Sequence, residues 1–439
     1  MSLFTTDAVR AIFASEARIA RMLDVEAALA RAEARVGVIP GDAVAAIEAC
    51  CKIELYDVEA IEQAAWNAGN LAIPLVAALT RRVGDCQASA RGYVHWGATS
   101  QDIIDTGLVL QLRDALAEID EDLDRLARGL VTQIEQHRES VMAGRTWLQH
   151  AVPVTLGLKL AGVLVAIKRD RERLAAARSR ALVLQLGGAA GTLASLGAQG
   201  PAVQVALGDE LQLPVPPTPW HTQRDGLCEL AAALGVLTAT LGKLARDLAL
   251  LAQTEVGEVA EPAAPGRGGS STLPQKRNAV GASIAIAAAT RTPSLVATML
   301  SAAVQEHERG LGNWPAEWDT LPEIVQLASG ALASMADVVG ALEVDPAQMR
   351  RNLDITRGQT LAEAVQMVLA PQIGRDAAHK IVGEAARRAT REGRHLRDVL
   401  ADDPLVRDAL DDDGLQALFD PANYLGSTDL FIANALSAR

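Results

Sequence analysis

The chain has 439 residues, of which 49% are hydrophobic and only 3% aromatic, and its 54 acidic against 41 basic side chains give a formal net charge of -13. That balance excludes the basic surface that nucleic acid requires. At this length two or three domains are expected, and a core poor in aromatics must be built from Leu, Ala, Val and Ile, which favours helix packed on helix. Cys50, Cys51, Cys86 and Cys228 and the seven histidines lack metal-ligand or C-x-x-C spacing. The first residues lack the basic-then-apolar order of a signal peptide, and no uninterrupted apolar run reaches membrane-spanning length. A cytoplasmic protein with free thiols and no membrane partner is expected.

In chain order, Met22, Val25, Leu29 and Val36 recur at helical spacing and end at Gly37 and Pro40. The first segment dense in chemistry is His95-Trp96-Gly97-Ala98-Thr99-Ser100-Gln101-Asp102, followed by Asp105-Thr106. Thr99 and Ser100 suit the start of a helix, with Asp102 in its first turn, and a helix start that binds a carboxylate needs the same groups. His95 reads either as a buried structural histidine or as part of a substrate site. Leu112, Leu116, Ile119, Leu123, Leu126, Leu130 and Ile134 then mark one face of a long helix.

The segment Gly144–Pro153 carries Arg145, Trp147, Gln149 and His150. If it is helical, Trp147 and His150 share a face, and His150 either contacts substrate or supports the loop. A helix follows over roughly 156–183. Leu186–Thr192 is glycine-rich without the G-x-G-x-x-G order, so it predicts tight turning rather than a dinucleotide site. Trp220-His221-Thr222-Gln223-Arg224-Asp225 precedes a second stripe, Leu227, Leu230, Leu234, Leu237, Leu241, Leu244, Leu248 and Leu251.

Between Gly266 and Asn278 runs Gly-Arg-Gly-Gly-Ser-Ser-Thr-Leu-Pro-Gln-Lys-Arg-Asn. Its glycines and proline forbid a helix. The stretch from Pro262 to Gly281 holds three basic residues and no acidic one, which predicts an anion site. Asn278 stands where an N-cap would, ahead of a helix over roughly 279–306 whose apolar residues lie on every side. Such a helix is expected to be buried all round, pooled with other copies in an oligomeric bundle. Gln305-Glu306-His307-Glu308-Arg309-Gly310 follows, and Trp314 and Trp318, one turn apart, are expected to pack on each other. Arg224 and Arg309 read either as surface ion pairs or as carboxylate binders.

The fold expected is all-α: a helical bundle over 108–345, flanked by an N-terminal helical domain, 1–107, and a C-terminal one, 346–439. The 266–278 loop resembles the G-S-S-x-M-P-x-K-x-N pattern of the fumarase/aspartase superfamily. The other polar segments match its remaining sequence blocks in the same order, so the resemblance covers nearly the whole chain. It implies a homotetramer with active sites shared between subunits, and anti addition or elimination beside a carboxylate. It makes Ser270 the acid-base residue at carbon, and gives Lys276 and Asn278 the substrate carboxylate. Ser271, His95, Thr99, Ser100, Gln149, Arg224 and Arg309 complete the expected binding set, and His150 joins Ser270 as a candidate catalytic residue. No metal or organic cofactor is implied.

Two positions depart from the pattern. Leu273 replaces the loop methionine, a swap that conserves volume. Trp147 stands where most lyases of the family have a histidine that assists the leaving group. A substrate carboxylate that attacks as a ready-made anion needs no such help, and tethering raises its effective concentration. Together with Thr146–His150, Trp220–Asp225 and Trp314–Trp318, this resembles the superfamily's cycloisomerase branch and implies a tricarboxylate substrate. The alternatives are adenylosuccinate lyase or a related lyase, and a catalytically silent member of the same fold.

Overall fold

The computed structural model describes residues 3–263, 268–269, 272–273 and 275–438. Five helices precede the first polar motif: α1 (Asp7–Ile12), α2 (Ser15–Val36), α3 (Gly41–Cys50), α4 (Val58–Ala68) and α5 (Ala72–Cys86). The long helix α6 (Ser100–Gln136) leads into a hairpin of β1 (Val141–Thr146) and β2 (Gln149–Thr155). Then come α7 (Leu156–Ala181), α8 (Gly200–Leu211), α9 (Asp225–Ala252), α10 (Val280–Ala302) and α11 (Asn313–Gly340). Two-residue strands β3 (Val259–Ala260) and β4 (Glu343–Val344) pair antiparallel. Helices α12 (Pro346–Asp354), α13 (Ala362–Ile373) and α14 (Arg375–Glu392), with four more after them, complete the described helices. The all-α expectation holds.

Two compact units arise. The first comprises the chain up to Leu123, Asp170–Gly242 and Ala287–Ala333. The second comprises Asp124–Arg169, Lys243–Ile286 and the chain from Ser334 onward. In the first unit α2 lies against α3 and α8, burying Ile19, Met22, Leu23, Val25 and Leu29. It stops where the sequence says it should, at Gly37, whose left-handed φ of 83° lets its N–H reach Ala34 O.

The row 22, 26, 29, 33 of α2 also buries two carboxyl groups, Glu26 and Glu33, each 1% exposed. Burial, and then the neighbouring Glu26, push Glu33 up to about 9. Folding therefore takes up a proton on Glu33 at neutral pH, so this group costs stability as pH rises from the usual carboxylate range to about 9. Glu33→Gln mimics the protonated form. It is expected to stabilise the protein by about 3 kcal/mol at pH 7 and by nothing near pH 4. Denaturant unfolding at both pH values checks this; an equal effect at each would refute it.

In the second unit α6 and α11 approach closely. A Cβ on Gly129 would lie 3.3 Å from Gly340 Cα, and Arg125 pairs with Asp337. Farther along the chain, Val365, Leu369, Val382, Leu396, Val406 and Phe419 form a small C-terminal core.

Both leucine stripes are buried along their length. For 279–306 the bounds need correction, while exposure within one chain is what the expected pooling with other copies implies. Helix α10 ends at Ala302, and within one chain it is not buried all round: Val280 is 37% and Leu300 55% exposed. A cylinder apolar on every side has more surface than the rest of this chain covers. Helices α9 and α10 are also long and apolar enough, by length and composition, to cross a membrane. Neither is an uninterrupted apolar run, because Glu229, Lys243, Arg246, Asp247 and Arg291 lie within them.

Candidate active site

In the first unit the start of α6 gathers the polar groups. Asp102, in the first turn and 1% exposed, accepts the N–H groups of Thr99 (3.0 Å), Gly187 and Gly188 (2.9 Å each). His221 Nε2 lies 2.7 Å from its Oδ1. One carboxylate thus joins the helix start to the glycine-rich turn. The turn needs glycine: a Cβ on Gly187 would come 2.7 Å from the His221 ring, and Gly188 has φ 69°. The hydroxyls of Thr99 and Ser100 are left without a hydrogen bond among the described residues, at the positive end of a 37-residue helix. His95, with a left-handed φ of 58°, turns its Nδ1 to 2.6 Å from the buried Glu26.

The two candidate arginines separate clearly. Arg309 donates from Nε to Gln101 Oε1 (3.0 Å) and from Nη2 to Ala189 O (3.2 Å). Both partners are neutral, and Arg309 has no carboxylate partner among the described residues, so its charge remains for an anion. Arg224 is the opposite case. Its side chain is 1% exposed and meets Asp105 at 2.6 Å and Glu317 at 2.6 Å, with its guanidinium 4.7 Å from the Trp220 ring centroid. Trp314 Nε1 and Gln305 Nε2 donate to these carboxylates (3.1 and 2.8 Å). Arg224 is neither a surface ion pair nor open to a solute; it supports the site from beneath. Burial works against its charge, but the two carboxylates more than restore it. Burial, joined by the Asp105 charge, leaves the Glu317 carboxyl raised against the pull of Arg224. Trp314 and Trp318 stack edge to face, 5.0 Å apart.

In the second unit the segment read conditionally as helical is the β1–β2 hairpin. Trp147 and Leu148 form its two-residue turn with φ of 51° and 63°. That geometry matches strand twist but normally uses Asn-Gly. Here a 98%-exposed tryptophan and a 75%-exposed leucine occupy it. Arg145, opposite His150 in register, makes a bidentate pair with the fully buried Glu258 (2.6 and 3.0 Å). Asn352 Nδ2 also donates to Glu258 (2.7 Å). Burial, then Arg145, lower the His150 pKa, and its buried Nδ1 has no hydrogen-bond partner among the described residues. Gln149 is exposed at the start of β2.

The serine–lysine loop is described in part: Ser270 and Ser271, with Gly266, Arg267 and Pro274, lie outside the described residues. Asn278 is not the side-chain N-cap expected of it. Its N–H donates to Gly268 O (2.8 Å) and its Nδ2 to Gly269 O (3.4 Å), tying the loop to itself. Helix α10 begins two residues later, and its N–H groups at Gly281 and Ala282 go to the Glu261 carboxylate (3.0 and 2.8 Å). A carboxylate of the chain itself takes this helix start. Arg277 is engaged by Glu343 (2.7 and 2.9 Å). Lys276 is exposed, without an ion pair among the described residues. With Glu261, Leu273 and Asn278 it lines a cleft of about 830 Å³.

Glu26, Glu258, Glu261 and Glu317 were missed from sequence. Only Glu26 left a signal there: with Glu33 it interrupts an otherwise apolar helical row.

The lyase family profile matches residues 3–293, and the profile of the adenylosuccinate lyase C-terminus matches residues 358–435. The chain is 55% identical to the 3-carboxy-cis,cis-muconate cycloisomerase of Pseudomonas aeruginosa, over 99% of this chain and 95% of that one. It is 40% identical to a nitrosuccinate lyase of Streptomyces davaonensis, over 98% and 92%. The crystal structure of the 3-carboxy-cis,cis-muconate lactonizing enzyme from Pseudomonas putida superposes with a TM-score of 0.95 at 53% identity, covering 99% of this chain and 97% of that one. The chain therefore belongs to the lyase family of the fumarase/aspartase superfamily, beside its 3-carboxy-cis,cis-muconate cycloisomerases.

Proposed function

We propose that this chain is an enzyme that closes 3-carboxy-cis,cis-muconate to 4-carboxymuconolactone, a step of protocatechuate breakdown in the beta-ketoadipate pathway. The observation that carries the reading is Trp147 at the exposed hairpin tip, where the superfamily pattern implies a histidine. A lyase that expels an amine or hydroxide gains from an acid there. An intramolecular carboxylate attack does not, because the nucleophile arrives ionised and tethered.

In the reaction a substrate carboxylate oxygen bonds to one alkene carbon. The electron pair moves to the adjacent carbon, beside another carboxylate, as an aci-carboxylate. Ser270 delivers a proton to that carbon on the face opposite the attack. One proton is taken up overall, because the attacking carboxylate loses its charge in the lactone, and Ser270 regains from solvent the proton it gives. Lys276, Asn278 and Ser271 hold the carboxylate where charge develops. Arg309, Thr99, Ser100 and His95 hold another, and Gln149 and His150 complete the pocket. His150, with its pKa lowered, acts as a neutral hydrogen-bonding ring rather than an acid. Arg224 keeps its place in the binding set only as a support for Gln101 and Arg309.

The working form is a homotetramer whose copies share sites; the exposed apolar residues of α10 support this. The reading places the protein in the cytoplasm, with no membrane or nucleic-acid partner. The test is the ultraviolet absorbance of 3-carboxy-cis,cis-muconate, whose conjugated diene disappears on cyclisation. Purified protein should abolish the band. An unchanged band, with cleavage of adenylosuccinate instead, would replace this reading with the ordinary lyase one.

A further inference from the structure

Resting on the substrate reading above, we propose that Glu26 is a positioning residue for the reaction: by taking His95 Nδ1 it aims Nε2–H of that ring at a substrate carboxylate. Glu26 sits on α2, far in sequence from every polar motif, yet its Oε1 lies 2.6 Å from His95 Nδ1. It is 1% exposed, and its other oxygen is buried without a hydrogen-bond partner among the described residues. A carboxylate so placed in a row with Met22 and Leu29 is a poor choice for packing alone, since burying a charge costs more than burying a leucine gains. The His95 side chain retains 17% exposure, so the ring is open on one side. It stands five residues before Ser100, and its backbone holds a left-handed φ to put it there.

The groups facing this pair are known from each neighbouring element. Asp102, from the first turn of α6, acts on the His95 ring. Glu33, on the same helix as Glu26, and the Cys51 thiol, after α3, feel the Glu26 charge, which after burial raises the pKa of each. Burial alone would drive the imidazole neutral, but Glu26 and then Asp102 raise its pKa overall. Glu33, pushed up to about 9, stays protonated at neutral pH and does not add a second anion. With Nδ1 committed to Glu26, the ring presents a charge-assisted donor at Nε2.

The test is a pH series of tricarballylate binding by calorimetry, beside KM and kcat for 3-carboxy-cis,cis-muconate, with wild type, Glu26→Gln and Glu26→Ala. Tricarballylate is an unreactive tricarboxylate. Glu26→Gln keeps the shape and removes the charge. It should weaken tricarballylate about tenfold at pH 7.5, the loss expected for one charge-assisted hydrogen bond. KM should rise in step, and kcat should fall less. The loss should shrink near pH 5.5, where the ring protonates without help. Glu26→Ala should lose binding at both pH values. Unchanged binding in both variants overturns the proposal. So does a loss equal at all pH values in Glu26→Gln and accompanied by a lower Tm, because that marks a packing role. If wild type binds tricarballylate in this Glu26-dependent way but leaves the diene intact, the assigned reaction fails and the Glu26–His95 assignment stands.

Discussion

Ser270→Ala is expected to lower kcat for cyclisation by about 10²- to 10⁴-fold, the usual worth of a positioned proton donor, while KM changes only a few-fold. The substrate nucleophile is a carboxylate already ionised, so removing the serine leaves carbon–oxygen bond formation intact. What is lost is the proton that traps the aci-carboxylate, and without it the addition reverses. Lys276→Met should behave differently. On the proposed reading the loop cation holds the carboxylate in the ground state and in the intermediate, so KM should rise and kcat fall together. The diene band, followed at saturating substrate, separates the two cases. If Ser270→Ala turns over at the wild-type rate, the proton comes from elsewhere and the superfamily role does not carry over to this chain.

The helical architecture was legible because its signal is repetitive. The leucine rows of α6 and α9 recur every three or four residues, and each such residue is buried. The polar motifs were legible because their side chains cluster within a few positions. The supports were not. Glu258 reaches Arg145 across 113 residues, Glu317 reaches Arg224 across 93, and Asp105 reaches it across 119. No local pattern marks a carboxylate whose partner lies that far along the chain. The Asn278 reading failed for a related reason. The residue has the right chemistry for an N-cap at the right place, but Glu261, upstream of the loop, holds two helix N–H groups at once with a full charge. The hairpin was obscured because Trp147-Leu148 is not a turn sequence. Its left-handed backbone contradicts local preference, and such a conflict is typical of a position held for function.

Arg224→Met is expected to destabilise the protein by about 3–5 kcal/mol, the cost of leaving buried carboxylates without their cation. Asp105 and Glu317 are each 1% exposed, and water cannot replace the guanidinium there. The deficit should depend on pH in a defined direction. Without Arg224 the two carboxyls favour their protonated forms in the folded state, so stability is retained at low pH and lost as pH rises through and above the usual carboxylate range. Denaturant unfolding at pH 5 and pH 8 should therefore show the larger deficit at pH 8. The triple replacement Arg224→Met, Asp105→Leu, Glu317→Leu should recover most of the loss, because an apolar cluster of similar volume has no charge to compensate. It should not recover activity. Gln101 donates to Asp105 (3.1 Å) and to His221 O (2.8 Å) and accepts from Arg309 (3.0 Å), so removing the triad takes away one of the two bonds that fix the residue aiming Arg309. A triple variant with wild-type KM would show that Arg309 needs no such support. A deficit under about 1 kcal/mol in Arg224→Met would show that the site tolerates two buried carboxyls without their cation.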